Sequence, residues 1–154
     1  MSKPIKRDPS IQPLSRDHHL GLLLCWKIRK GFSKKVSPER IKAYADWFFE
    51  THLKKHFEIE EKFVFTILGI KSELIKQALK EHRLLEKLFL EKDKSKIENS
   101  LTEISGELEK HIRFEERILF NDIQSLASAE DLENIREHHT DEKFCENTED
   151  EFWK

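Results

Sequence analysis

Proline and glycine are scarce in this chain. Each occurs four times in 154 residues, three of the prolines lie in the first 13 positions, and none follows Pro38. A chain so free of breakers and rich in Glu, Lys and Leu reads as nearly all helix. The two cysteines, Cys25 and Cys145, form no CxxC pair. They give no support for a disulfide framework and fit a reducing, cytoplasmic setting. No long apolar run exists: the longest, Leu20 to Trp26, falls far short of a membrane span, and no apolar secretory segment opens the chain. Charge of one sign is lacking too. Charged residues make up 38%, yet the formal net charge is −2, with both signs interspersed. That describes solvated helix faces, not a nucleic-acid footprint. The length predicts one domain with a substantial core, which eleven phenylalanines would help to fill.

Residues 1 to 13 read as an irregular arm. A first helix begins near Ser15, with Ser15 or Asp17 as cap, and ends at Gly31. Ser37-Pro38-Glu39 opens a second, which runs to about Leu68 before Gly69. A third spans Ser72 to about Phe89. A charged stretch, Glu91 to Lys96, leads into a fourth that carries Ile97 through Leu119. Ser128 with Asp131 resembles a capping box opening a short fifth segment. The tail from His138 is acidic and holds Phe144, Phe152 and Trp153. The expected fold is all-α, an up-down-up-down four-helix bundle over residues 14–122 with a C-terminal segment and tail over 123–154. His56 and Glu60 lie about as far before Gly69 as His82 lies after it, so they share a height. His111 lies too far from the next turn for a tight hairpin. The connection at Glu91 to Lys96 must therefore be long or irregular, or the fourth helix must start later.

Four of the eight histidines have a glutamate four residues on: His56 with Glu60, His82 with Glu86, His111 with Glu115, and His138 with Glu142. This spacing puts both side chains on one helix face. The last pair lies in the tail with little apolar flanking. The first three sit within apolar stripes on three different helices, where neither group is comfortable alone. His18, on the stripe of the first helix, adds a fourth element. Together His18, His56, Glu60, His82, Glu86, His111 and Glu115 predict a buried metal site. With six ligands assumed for each of two irons, two bridging glutamates, a bridging oxo or hydroxo, four histidines and one terminal glutamate leave one position open for a small molecule. Zinc would want a closed tetrahedral set or an HExxH helix. The ferritin-like order is Glu-x-x-His, the reverse of the order here.

The segments Asp17–Leu24 (DHHLGLLL), His52–Phe65 (HLKKHFEIEEKFVF), Lys80–Leu88 (KEHRLLEKL) and Glu109–Phe120 (EKHIRFEERILF) resemble the signature segments of the hemerythrin-like HHE cation-binding domain family. The resemblance covers about residues 14 to 122. It implies a four-helix bundle holding a non-haem, oxo-bridged di-iron centre that binds dioxygen or another small ligand. His18, His56, Glu60, His82, His111 and Glu115 match its ligand positions. Glu86 stands where the oxygen carriers have a second histidine, and the step from His111 to Glu115 is one residue shorter than theirs, which tells against reversible oxygen carriage of the familiar kind.

Several neighbours have weaker readings. His19 is an alternative to His18, and His52 lies one turn before His56 as a supporting group or further ligand. Glu61 and Glu116 point about 100° away from the ligand glutamates, at the surface or behind the ligands. Trp26, Phe49, Phe63 and Phe114 read as core, Tyr44 as a remote candidate for a phenolate, and Cys25 as a small buried hydrophobe. The favoured function is a soluble binding protein whose di-iron site takes up dioxygen or nitric oxide, or senses iron or redox state. A di-iron enzyme, of oxidase, peroxidase or iron–sulfur repair type, is the alternative suggested by the extra carboxylate at Glu86. A partner-binding bundle with incidental metal is suggested by the aromatic tail. No nucleic acid or membrane partner is expected, and no protein partner is identified.

Overall fold

The structure, a computed structural model, describes residues 6–139 and 143–154. Among these residues it is all-helical, with no strand. Helix α1 spans Gln12–Ser33, α2 Pro38–Phe48, α3 Lys54–Ile59, α4 Glu73–Phe89, α5 Ile97–Phe114, α6 Phe120–Leu126 and α7 Ala129–His138. Three π-helical turns, Phe49–Leu53, Glu60–Val64 and Glu115–Leu119, and a 3-10 turn, Phe65–Ile67, lie between them. The chain from Pro38 to Ile67 is thus helical without a break, and so is the chain from Ile97 to Leu126. No helix among the described residues is long and apolar enough to cross a membrane.

Helix α1 starts earlier and ends later than the sequence predicts. Pro13 occupies its first turn. Ser15 and Asp17 do not cap it: the Ser15 hydroxyl donates to Glu116 at 3.1 Å, and Asp17 faces two imidazoles. Gly31 is not its terminator, because the chain reverses at Lys35, in the left-handed region at φ 59°. Gly31 instead makes room for the tail. A Cβ there would meet Phe152 and Ile41, each at 2.8 Å. Before α1, the Arg7 guanidinium donates to Asn121 at 2.8 Å and Ile11 is fully buried, so the described part of the N-terminal arm is docked. The Ser128–Asp131 capping box forms as expected, with hydrogen bonds of 3.0 and 2.9 Å.

Helix α5 packs on α1 and on α4. His82 lies seven residues before the end of α4, whereas His111 lies fourteen after the start of α5. The His82 and His111 rings meet at 4.8 Å, so α5 begins about 10 Å beyond the end of α4, and the irregular stretch from Leu90 to Lys96 spans the offset.

The buried apolar residues form two clusters. One gathers Leu24, Ile28, Phe48, Leu85, Leu108 and Ile112, the other Leu14, Ile59, Ile75, Ala78, Leu119 and Phe120. Along α1 and α4 a histidine falls between members of the two, so a polar layer divides the core. Phe152 and Trp153 join the first cluster. Lys27, buried under the tail, donates to Tyr44 at 2.8 Å and to Glu146 at 2.6 Å, and its ammonium lies 4.0 Å from the Trp153 ring centre. Trp26, read as core, is 49% exposed, and Ile118, apolar and within the expected fourth helix, is 48% exposed. For Ile118 the cause is the π turn, which puts an extra residue into the helical repeat.

Candidate metal centre

Four histidines and two glutamates meet in the polar layer. His18 comes from α1, His56 from α3, His82 from α4 and His111 from α5, while Glu60 and Glu115 each open a π turn. All six are buried. They fall into two groups, His18, His56, Glu60 and Glu115, and Glu60, His82, His111 and Glu115; within each group, one ligand atom per residue lies within 4.8 Å of the others. Both glutamates belong to both groups.

The imidazoles share one orientation. Nε2 points inward: that of His18 lies 3.0 Å from Glu115, that of His56 3.2 Å and that of His82 3.1 Å from Glu60, and that of His111 3.0 Å from Glu115. The Nε2 atoms of His18 and His56 are 3.2 Å apart. Nδ1 points outward to a second carboxylate. Nδ1 of His56 donates to Asp17 at 2.8 Å, that of His82 to Glu61 at 2.8 Å and that of His111 to Glu81 at 2.7 Å. Nδ1 of His18 lies 3.2 Å from Glu116, without hydrogen-bond alignment. A carboxylate on the outer nitrogen fixes tautomer and ring plane and raises the basicity of the inner one.

The arrangement is written twice in the chain. An acid and a histidine, Asp17-His18, are followed by His56-x-x-x-Glu60-Glu61. Glu81-His82 are followed by His111-x-x-x-Glu115-Glu116. In each half the leading acid holds the outer nitrogen of the later histidine. The second glutamate of each pair serves the other half: Glu61 holds His82, and Glu116 faces His18. Asp17 and Glu81 were not recognised from sequence as supporting residues. The signal was there, an acid directly before His18 and before His82.

Burial alone would keep the imidazoles neutral, and the surrounding carboxylates outweigh it. Burial opposed by Glu115, Glu116 and Glu60 leaves His18 well above its ordinary pKa. Burial opposed by Glu60 and Asp17 leaves His56 raised to about 9, and burial opposed by Glu115 and Glu81 leaves His111 raised to about 10. His82 is raised likewise by Glu60 and Glu61 against burial. Glu60 is held well below the carboxylate range by His56, His18 and His82, despite burial.

The donors fit a metal ion. Both oxygens of Glu60, Oε2 of Glu115, and Nε2 of His82 and of His111 are buried and make no hydrogen bond within the protein. Such atoms each cost about 1–3 kcal/mol if left unsatisfied. Their short approaches are convergent rather than paired, as ligands to a common cation are. Glu86 lies outside both groups, with a 3.3 Å ion pair to Arg83 at the surface. His19 is exposed and His52 packs against Phe144; both lie outside the groups. Tyr44 is also outside them, its hydroxyl bonded to Glu146 at 2.6 Å. Asp17, His56 and His139 form a third set. There Asp17 is already engaged by both imidazoles, His139 at 2.7 Å, so the set supports His56. Glu142, expected opposite His138, lies outside the described residues. No family model, curated protein or solved structure matches the chain, and the donor geometry is the basis for assigning a function.

Proposed function

We propose that the chain is a hemerythrin-like metal-binding protein whose helices run as an up-down-up-down four-helix bundle around two iron ions. His18 and His56 would hold one ion and His82 and His111 the other, with Glu60 and Glu115 shared. The sharing of those two glutamates between two histidine pairs carries this reading. A mixed nitrogen and oxygen set of this size suits two borderline first-row cations better than one tetrahedral zinc. Bound iron would supply coordination of a small ligand, dioxygen or nitric oxide, together with a one-electron redox change by which iron or redox state is sensed. The chain's own residues orient and seal the site. Asp17, Glu61 and Glu81 fix the rings of His56, His82 and His111. Phe57, stacked on His82 at 3.9 Å, and Phe120, stacked on His18 at 5.2 Å, keep water from the imidazole faces. Two free cysteines suit a reducing cytoplasm.

Small-ligand binding is favoured over catalysis because Glu86, the extra carboxylate behind the enzyme reading, is paired with Arg83 instead. Metal analysis after anaerobic purification tests the assignment: two irons per chain are expected, and one zinc per chain would overturn it. Spectra unchanged by both dioxygen and nitric oxide would remove the ligand-binding part.

A further inference from the structure

A cleft between α1 and α3 leads down to His56. Its larger part, about 110 Å³, is walled by Leu20, His52, Lys55, His139, Lys143 and Phe144 and reaches Asp17 and His56. An adjoining recess of about 10 Å³ shares Asp17, Leu20, His52 and His56 and adds Phe48 and Leu53. That is close to the least room that holds a single water molecule. The larger part has room for several small molecules and the recess for one.

The two halves of the repeat differ at this point. On His82 the ring of Phe57 stacks at 3.9 Å. The matching position of the other half is Ile112, which faces α1 at Gly21, where a Cβ would come within 2.7 Å of it. Asp17, which supports His56, has a side chain 33% exposed, against 18% for Glu81, which supports His111. His18 is covered by Phe120 instead, so the opening lies on the His56 side, at Asp17. The tail supplies the outer wall. The Phe144 ring lies 4.8 Å from that of His52 and 6.1 Å from that of Trp47. It is held there by Glu146 on Lys27 and Tyr44 and by the buried Phe152 and Trp153.

We propose that this cleft is the entrance by which molecules of water to diatomic size reach the buried donors, with Leu20 and Phe144 setting its width. The proposal rests on the metal-centre reading above. The recess excludes larger molecules by size.

The test uses the full chain, wild type, Phe144→Ala and Leu20→Trp. With iron bound, the association rate of nitric oxide is expected to rise in Phe144→Ala and to fall about tenfold in Leu20→Trp. Without metal, dissolved dioxygen serves as a paramagnetic probe of methyl relaxation. The methyls of Leu53 are expected to relax faster than those of Leu108 and Leu119, and the difference to shrink in Leu20→Trp. Equal association rates in all three proteins, or Leu53 methyls no more affected than those of Leu108, would overturn the entrance while leaving two irons per chain intact. A chain that takes up no iron fails at the earlier step and removes both readings. Phe144 lies on the rim, so its alanine variant retains the fold and keeps the test decisive if Leu20→Trp does not fold.

Discussion

The carboxylate of Asp17 accepts a hydrogen bond from Nδ1 of His56 at 2.8 Å, while the next residue, His18, sends its own Nε2 into the donor cluster. Glu81 and His82 repeat the arrangement toward His111, at 2.7 Å. Each of these helices thus gives one donor and grips a donor from another. Asp17→Asn or Glu81→Gln should weaken metal affinity about 10–100-fold while leaving the number of ions bound at saturation unchanged. Competition with a calibrated chelator measures this. Unaltered affinity would make the outer carboxylates bystanders.

The inner donors should behave differently. His56→Ala or Glu115→Gln should abolish stoichiometric binding, and the atoms left behind should lower stability by about 1–3 kcal/mol each. Metal analysis alongside denaturant unfolding separates the two effects. Full occupancy in either variant would contradict the role given to that residue.

Glu86 pairs with Arg83 rather than with the cluster. Glu86→Gln should therefore retain full metal content and the wild-type absorption spectrum. Loss of an ion in this variant would return Glu86 to the ligand set.

Protonation should oppose metal binding. In the metal-free protein, burial disfavours charged imidazoles, but Glu60 and Glu115 win, leaving His56 raised to about 9 and His111 to about 10 from 6.5. A raised folded-state pKa stabilises the protonated fold. That contribution is complete below pH 6.5 and is lost as pH climbs through 9 to 10. A metal ion needs the same nitrogens unprotonated. Loading near neutral pH should thus release protons, and apparent affinity should increase with pH up to that range. Calorimetry in buffers of different ionisation enthalpy reads the protons directly, and a zero count would contradict charged imidazoles.

The tail belongs to the core. Phe152→Ala should destabilise the protein by about 3–5 kcal/mol, because the ring fills the space left by Gly31 against Ile41. Thermal unfolding measures it. A change below about 0.5 kcal/mol, as for an ordinary surface site, would mean that the tail is not packed there in solution.

The sequence by itself determined where the main helices lie, though not their bounds, and the six inward-facing donors. Scarce proline, the Pro38 start, the Ser128 capping box and the four-residue step from histidine to glutamate are local signals, and local geometry suffices to read them. His18, His56, Glu60, His82, His111 and Glu115 are legible because a buried polar residue interrupts an apolar stripe. Glu86 met the same criterion, yet its side chain turns to Arg83. Spacing fixes the angle around one helix, but not which neighbouring helix covers that angle.

Only the tertiary structure decided which carboxylates stand behind the imidazoles, since Asp17 and Glu81 act across helices on partners 39 and 30 residues away. It also decided that α5 starts beyond the end of α4 and that π turns rotate Ile118 into solvent. That Gly31 accommodates Phe152 rather than ending a helix depends on the tail folding back across 121 positions of chain, a contact that no local pattern encodes. The physical reason is common to all of these: helical periodicity is set within a few residues, whereas pairing of charge with charge and ring with notch is set by which rods pack side by side.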